Sequence, residues 1–415
     1  MGKMKNTDKN SWDFSNNKEL QMHSVHAYPA KFPAFIATKA FDFASSKGVK
    51  VNSVADVFCG CGTVSLEAKM HGIKFWGCDI NPVATLITRA KSATYDTEKF
   101  SSFCKKIESF FKNSEISSAQ YEQANERLKY WFDESTYLDL FRLKMSIERV
   151  VFSEKYLDAF LCIFSSLLKA VSRWLAKSIK PQIDPNKKHI AVWDVFHSQC
   201  KKFKLAIEQV NLQNPKAVDI NIVTGNFLEM RNIPFVDLII TSPPYVTSYE
   251  YADLHQLSSL WLQYTDDYRS LRKGSIGSMY NSEEYTIDLS KLNQTGRDII
   301  FALGKKQKTN SKVRSIARYY SDIQDSIEKC AGMLNQGGMA LFVVGDTEYK
   351  SVKIKNSEHL IHSMQDAGFI NIEKEKRKIS QKRLTPYRDK FGKFTSDKAK
   401  RKVYHEEYVI SGRIQ

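Results

Sequence analysis

The chain has 415 residues, 42% hydrophobic and 26% charged, with a net charge of +16 from 62 basic and 46 acidic residues. That length can bury one large core or two medium ones. No 18-residue apolar run occurs, so no membrane helix is expected, and residues 1–6 lack the apolar core of a signal peptide. The excess of positive charge favours a polyanionic partner. Seven cysteines without zinc-type spacing favour a reducing, cytoplasmic setting.

In chain order, residues 1–20 are polar and expected to fray. The stretch "SVADVF" (53–58) reads as a short strand, "GCGT" (60–63) as a turn, "VSLEAKMHG" (64–72) as a helix closed by glycine and "IKFWGCDI" (73–80) as the next strand. That is a βαβ unit and predicts an α/β fold with a parallel sheet. Apolar residues at helical spacing fill 95–215, predicting an inserted set of helices. Strand signals return at "DINIVTG" (219–225) and "VDLII" (236–240). Residues 246–315 read as a second, irregular insertion. After it come a helix at 319–338 ending on a glycine pair, a buried strand at 339–346, a helix at 357–368, and strands at 369–376 and 403–414. The domain reading is therefore a catalytic unit in two parts, 21–94 and 216–415, separated by the helices of 95–215.

Two places carry chemistry. In "DVFCGCGT" (56–63), Gly60 and Gly62 permit a tight strand-to-helix turn whose backbone N–H groups a ligand can approach closely. Asp56 ends the strand, where a carboxylate meets a cationic amine. Asp79, at the tip of the second strand, stands about 20 residues beyond the turn, the spacing at which an acid accepts from a ribose diol. The alternative is a surface aspartate capping a turn. A G-x-G alone is weak, and the third glycine of a dinucleotide loop is absent. Cys59 and Cys61 lie in this turn with poor metal spacing and read as loop packing.

The second place is "TSPPY", where an apolar strand stops on Ser242-Pro243-Pro244-Tyr245. The lone pair of an exocyclic nucleobase amine is delocalised into its ring. A catalyst must hold both N–H bonds with acceptors so that the lone pair points out of plane. The Ser242 side chain and the Pro243 carbonyl supply two acceptors, the prolines stiffen the corner, and Tyr245 offers a face to the base. A plain Pro-Pro turn explains the kink but not the tyrosine, nor the place at the end of a sheet strand. The helix predicted from near Tyr251, in "YEYADLHQLSSLWL", either lines this pocket with Asp253 and His255 or simply packs.

With these residues in hand, the chain resembles the S-adenosylmethionine-dependent DNA amino-methyltransferases of restriction-modification systems, of the kind that methylates cytosine N4. "TSPPY" resembles that family's catalytic motif and "DVFCGCGT" its methionine-binding F-x-G-x-G-T loop. "HAYPAKFPAFIATKAF" (26–41) is similar to its N-terminal motif, and "VTGNFLE" (223–229) to the strand bordering the adenine. The resemblance covers 26–91 and 219–415, and more loosely the helices between. It implies a Rossmann-like class I methyltransferase fold with a mostly parallel seven-stranded sheet, helices on both faces and a helical insertion. It also implies S-adenosyl-L-methionine as cofactor, held by His26, Tyr28, Pro29, Ala30, Phe58, Thr63 and Asn226 beside Asp56, Gly60, Gly62 and Asp79. Asn226 stands where the family often has Asp. Catalysis would fall to Ser242, Pro243, Pro244 and Tyr245, by direct methyl transfer to a flipped base. Ring-carbon methylation uses a cysteine after proline, and none of the seven follows one.

The implied partners are double-stranded DNA and a cognate restriction endonuclease, with a cytoplasmic, nucleoid-associated location. Residues 371–402 hold 13 Lys/Arg against four Asp/Glu, interleaved with Tyr387, Phe391 and Phe394. Lys382, Arg383, Arg388, Lys390 and Lys393 are the expected phosphate contacts, Lys31 an alternative one. The loops 246–315 and 377–402 are the expected base-contact regions and the helical insertion is expected to clamp the duplex; a flexible solvated loop is the alternative for 377–402. Two other readings stay open: an adenine-N6 DNA or RNA amino-methyltransferase, and a non-catalytic nucleic-acid binder that keeps a relic pocket.

Overall fold

The computed structural model describes residues 12–13, 18–29, 31, 33–246, 250–278, 280, 285–306, 311–349, 352–379, 387–388, 397, 401–402 and 406–415. Seven strands form one sheet: β1 Ser53–Asp56, β2 Lys74–Asp79, β3 Ile220–Thr224, β4 Val236–Thr241, β5 Leu334–Val344, β6 Ile370–Lys378 and β7 Glu406–Arg413. Their spatial order is β3-β2-β1-β4-β5-β7-β6. The first five are parallel, and β7 runs antiparallel between β5 and β6. This is the mostly parallel, seven-stranded α/β sheet expected, with a Rossmann-like core.

The central strands read as unbroken apolar runs because both faces are covered. On one face, Val54, Phe75, Leu238, Ile240, Leu341 and Val343 pack with α1 (Ala34–Ser46) and α2 (Thr63–His71). The alternate residues Ala55, Trp76, Ile239, Ala340 and Phe342 pack on the other face. There they meet the long helix Ser311–Gly332 and the helix Asn356–Asp366. The sequence leaves β1 for β2 and β3 on one side, then returns to β1's other side as β4. That reversal opens a crevice at the carboxyl ends of β1 and β4.

Helix α3 (Pro82–Ser92) starts on Asn81, whose side chain accepts from the Val83 N–H, and on a proline at its first position. It lies against α6, one of four long helices between α3 and β3: α4 Thr97–Asn113, α5 Glu134–Val150, α6 Glu154–Val171 and α7 Val192–Leu212. Their apolar stripes meet in a core that also takes in Leu66 of α2 and Leu257, Leu260 and Trp261 from the segment after 246. At its centre Phe100 stacks on Phe160 at 4.8 Å and on Phe203 at 5.6 Å.

Three expectations need correction. The helix read at 319–338 spans Ser311–Gly332, and the glycine pair stands inside β5. Gly337 has φ +74°, and a Cβ on Gly338 would lie 2.7 Å from the Asn335 carbonyl oxygen. Together they form the irregularity that shifts register against Val236 and Leu238, so glycine here marks a bulge in a strand rather than the end of a helix. Secondly, 246–315 is not irregular throughout. It contains the helix Gln294–Lys306, whose Ile299, Ile300 and Leu303 are buried at helical spacing. Thirdly, the helix after the corner is broken into Tyr251–Leu254 and Gln256–Trp261.

Phe100→Ala is expected to cost about 3–5 kcal/mol of stability, as buried aromatic truncations do. Urea unfolding followed by circular dichroism checks it; a loss below about 1 kcal/mol would mean the insertion's core does not support the rest of the chain.

Candidate functional site

The crevice is built on its glycine turn. Gly60 and Gly62 adopt φ +48° and +73°, the left-handed region that glycine enters without strain. Gly62 is doubly constrained, since a Cβ there would lie 2.7 Å from Thr88 Cγ2. The Gly60 N–H donates to Asp79 Oδ2 at 2.9 Å, and the Thr88 hydroxyl donates to the Gly60 carbonyl at 2.9 Å. The buried Lys91 ammonium donates to the Cys61 carbonyl at 2.6 Å. Thr63 is buried as the first residue of α2, and Phe58 meets Phe227 edge-on at 6.2 Å. Cys59 and Cys61 are both buried in the loop packing.

Two carboxylates close the strand ends. Asp79 also accepts from the Asn81 N–H at 2.9 Å, so one backbone donor occupies each of its oxygens and each keeps a lone pair free. Asp56, at the end of β1, accepts from the Thr241 hydroxyl at 2.6 Å and the Phe58 N–H at 3.2 Å. Burial lifts Asp56 to about 7, against the pull of those donors and helped by the nearby Asp79 charge. Burial likewise lifts Asp79 to about 6. Neither makes an ion pair among the described residues.

The Ser-Pro-Pro-Tyr corner leaves β4 beside this turn. The Ser242 hydroxyl donates to the Val343 carbonyl on β5 at 3.1 Å, which commits its proton and leaves its oxygen lone pairs as acceptors. Pro243 is buried and Pro244 half-buried. The Tyr245 hydroxyl donates to Glu407 Oε1 on β7 at 3.1 Å, and burial together with that carboxylate holds the phenol protonated. The other Glu407 oxygen pairs with Arg377 on β6, itself 2% exposed and bonded to the Trp12 carbonyl at 3.2 Å. A Cβ on Gly345 would lie 3.5 Å from the Tyr245 ring, so the ring rests against bare backbone.

A third part comes from the N-terminal motif. Tyr28 lies against the glycine turn, 3.4 Å from the place of a Cβ on Gly60. Its ring stacks on His255 at 5.1 Å and on Tyr251 at 6.1 Å. The half-buried Pro29 follows; Ala30 lies outside the described residues. Burial keeps His26 neutral at about 4 and His255 at about 3. His26 Nε2 meets the Ser165 hydroxyl at 2.9 Å, which donates on to Ser258 at 2.7 Å. His255 Nε2 has no partner among the described residues. Lys31 pairs with Glu19 at 3.1 Å, which occupies the ammonium considered for phosphate.

The Asn226 side chain accepts from the Leu228 N–H at 3.1 Å and donates to Glu229 at 2.9 Å, capping a short 3-10 turn. Gly274 comes close to it: a Cβ there would lie 2.9 Å from Ile80 Cδ1 and 3.8 Å from Asn226 Nδ2. Gly277 approaches the Tyr245 carbonyl in the same sense, at 3.7 Å. The segment after the corner therefore runs across the crevice, held by Arg272 on Asp253 at 2.7 Å and by Ser278 on Glu250 at 3.1 Å. Of the basic loop, Lys382, Arg383, Lys390 and Lys393 lie outside the described residues, and the backbone of Tyr387–Arg388 pairs antiparallel with Arg401–Lys402.

Sequence reasoning missed Thr241, Glu407 and Arg377. The threonine carried a signal, being a hydroxyl at the end of an apolar strand. The Glu407 partnership joins residues far apart in sequence and left none.

No family model matches the chain. It is 23% identical over 397 residues to the Type II methyltransferase M.MvaI of Kocuria varians, covering 89% of this chain and 86% of that one. It is 27% identical over 285 residues to the Type II methyltransferase M.BsoBI of Geobacillus stearothermophilus, covering 60% of this chain and about half, 54%, of that relative. Among solved structures, the rRNA methyltransferase aviRa from Streptomyces viridochromogenes aligns over 94% of this chain and 88% of its own, at 10% identity and a TM-score of 0.33. TehB from Haemophilus influenzae aligns over 91% and 62%, at 9% identity and 0.30.

The Asp56 environment has a measurable sign. Its folded value of about 7 exceeds the ordinary 3.8, so between these pH values the folded chain holds a proton that the unfolded chain releases. Stability from this group is present below about 3.8 and is lost as pH rises through about 7. Asp56→Asn should make the fall in urea midpoint between pH 4 and pH 7 shallower than in the wild type. Identical profiles would show that this carboxyl is not the one titrating.

Proposed function

We propose that the chain is an S-adenosylmethionine-dependent DNA methyltransferase of a type II restriction-modification system, acting on the exocyclic N4 of cytosine in double-stranded DNA. The observation that carries this reading is the Ser242 hydroxyl. With its proton committed to Val343, its oxygen is left as an acceptor, next to a proline that brings a carbonyl and no competing N–H. Two acceptors on one amine turn its lone pair toward an electrophile, which raises the reactivity of an otherwise poor nucleophile without a covalent intermediate. Tyr245 supplies the stacking face for a base taken out of the duplex, and Glu407 fixes the direction of that ring through its hydroxyl. The two type II methyltransferase relatives, one of them matched over most of both chains, support the same reaction class.

The crevice also fits the cofactor. Asp56 and Asp79 are buried carboxylates without a cation among the described residues, an arrangement that a ligand bearing ammonium and sulfonium charge relieves. The two free lone pairs of Asp79 suit a ribose diol, and Asp56 with the Gly60–Gly62 turn suits the amino-acid end. Tyr28 would border that end beside His26 and Pro29, Phe58 and Thr63 would hold the turn, and Asn226 with Ile80 would flank the adenine. When bound, the cofactor supplies a methyl group on a sulfonium. Serine at position 242 favours cytosine over adenine through the resemblance of "TSPPY" to N4-type motifs. A cognate endonuclease and a nucleoid location belong to the same reading.

Digesting duplex DNA methylated by the purified protein to nucleosides, and weighing them, tests the proposal. N4-methylcytosine is expected; N6-methyladenine would replace the cytosine assignment, and no methyl transfer would leave a binding relic. Ser242→Ala should lower kcat by about 10²-fold, the scale seen when one preorganised polar group is removed from an active site. Tyr245→Ala should lose most turnover while cofactor binding persists. Asp79→Ala should weaken cofactor affinity about tenfold by calorimetry.

A further inference from the structure

Residues 173–190 hold five Lys/Arg against one aspartate, yet they do not behave as a loose solvated loop. They form a hairpin. Trp174 bridges Ile183, the Leu175 N–H donates to Gln182 at 2.8 Å, and the Asp184 N–H donates to Arg173 at 2.8 Å. Two lysines pin it from inside. Lys187 Nζ donates to the carbonyls of Lys169 and Trp174 at 2.7 and 2.8 Å, and Lys169 Nζ donates to the Ser178 carbonyl at 2.7 Å. The Trp174 indole is 2% exposed and stacks on Trp131 at 5.0 Å. Four further cations, Arg173, Lys177, Lys180 and Lys188, point outward. Their side chains make no ion pair among the described residues. Asp133 faces Arg173 and His189 electrostatically, and that carboxylate is engaged at the start of α5, accepting from the Thr136 N–H at 2.8 Å.

The hairpin's place is as informative as its charge. Trp131 Nε1 donates to Gln256 Oε1 at 2.9 Å. Gln256 directly follows His255, whose ring stacks on Tyr28 over the glycine turn. The hairpin root thus stands two ring stacks and one hydrogen bond from the crevice. Outward cations on a braced support suit backbone phosphates, because little loop ordering remains to oppose binding. The Trp174 ring is buried and offers no stacking face, so the hairpin's outward chemistry is mainly cationic, which suits a duplex backbone.

We propose that the hairpin 173–190 grips the phosphate backbone of the duplex flanking the target base, with Lys177, Lys180 and Lys188 as its contacts. This rests on the DNA reading above. The contacts carry affinity and position, not sequence.

The test is the salt dependence of binding to a labelled random-sequence duplex of about 30 base pairs, read by fluorescence anisotropy between about 50 and 200 mM salt. Removing one phosphate-binding cation lowers the slope of log K against log salt by about 0.9, so the triple variant K177A/K180A/K188A should lose about 2–3 from it and bind more weakly at every salt concentration. Its thermal midpoint and S-adenosylmethionine affinity should match the wild type, because all three side chains are exposed. An unchanged slope in a triple variant of a wild type that methylates DNA overturns the hairpin assignment alone. A wild type that neither methylates nor retains the duplex overturns the functional reading and this inference with it.

Discussion

The site depends on one pairing, that of β1 with β4. The two strands are adjacent and parallel because the chain reverses direction across the sheet between β3 and β4. Their carboxyl ends are then tied by the 2.6 Å hydrogen bond from Thr241 to Asp56. Everything that follows leaves from those two residues. The glycine turn departs just after Asp56, and Ser242 is the next residue after Thr241. A hydrogen bond of this kind contributes about 0.5–1.5 kcal/mol net, and this one also fixes the distance between the glycine turn and the Ser-Pro-Pro-Tyr corner. Removing it would leave both motifs intact in sequence while loosening the separation on which the proposed transfer relies.

The antiparallel edge of the sheet holds the corner from its other side. The Tyr245 hydroxyl reaches Glu407, and Glu407 answers to Arg377, so the corner is braced by two strands that enter the sheet only near the end of the chain. Arg377 and Glu407 stand opposite each other in the β6–β7 ladder. They are also close to the ends from which the basic segment 380–405 departs and returns. An ion pair this buried is poor at adding net stability, because desolvation offsets the attraction. Its better use is orientation: it holds the tyrosine ring in one plane, where a free ring would sample several.

Local signals in the sequence reached part of the local structure. Gly60 and Gly62 announced a left-handed turn because no other residue enters it cheaply, and Asp79 announced itself by spacing from them. The strands of the parallel core were legible as apolar runs. The glycine pair at 337–338 misled, since glycine marks helix ends and strand bulges alike and only the register against β4 decides between them. His255 was named as a possible pocket residue, and its stacking on Tyr28 depends on a break in the helix that periodicity does not reveal. The Tyr245–Glu407 contact lay beyond reach for a plainer reason: no local pattern encodes which of two antiparallel strands will end beside a loop from the middle of the chain.

The helical insertion is the remaining part to place in this scheme. Its position between α3 and β3 means that its ends are fixed to the sheet, and α3 packs along α6. It reaches the site through the packing of Leu257, Leu260 and Trp261 into its core and through polar contacts. Ser165 on α6 joins His26 of the N-terminal motif to Ser258 after the corner, and Arg127 and Trp131 both donate to Gln256 at 2.7 and 2.9 Å. Such bonds are directional in a way that apolar packing is not, and a buried group left unpaired costs about 1–3 kcal/mol. The segment carrying Tyr251, His255 and Gln256 is therefore held in one orientation from the insertion side, while Thr241 and Glu407 hold the corner from the sheet side. The segment between these two holds lies where the insertion's core and the sheet's core meet, and its position is set by both.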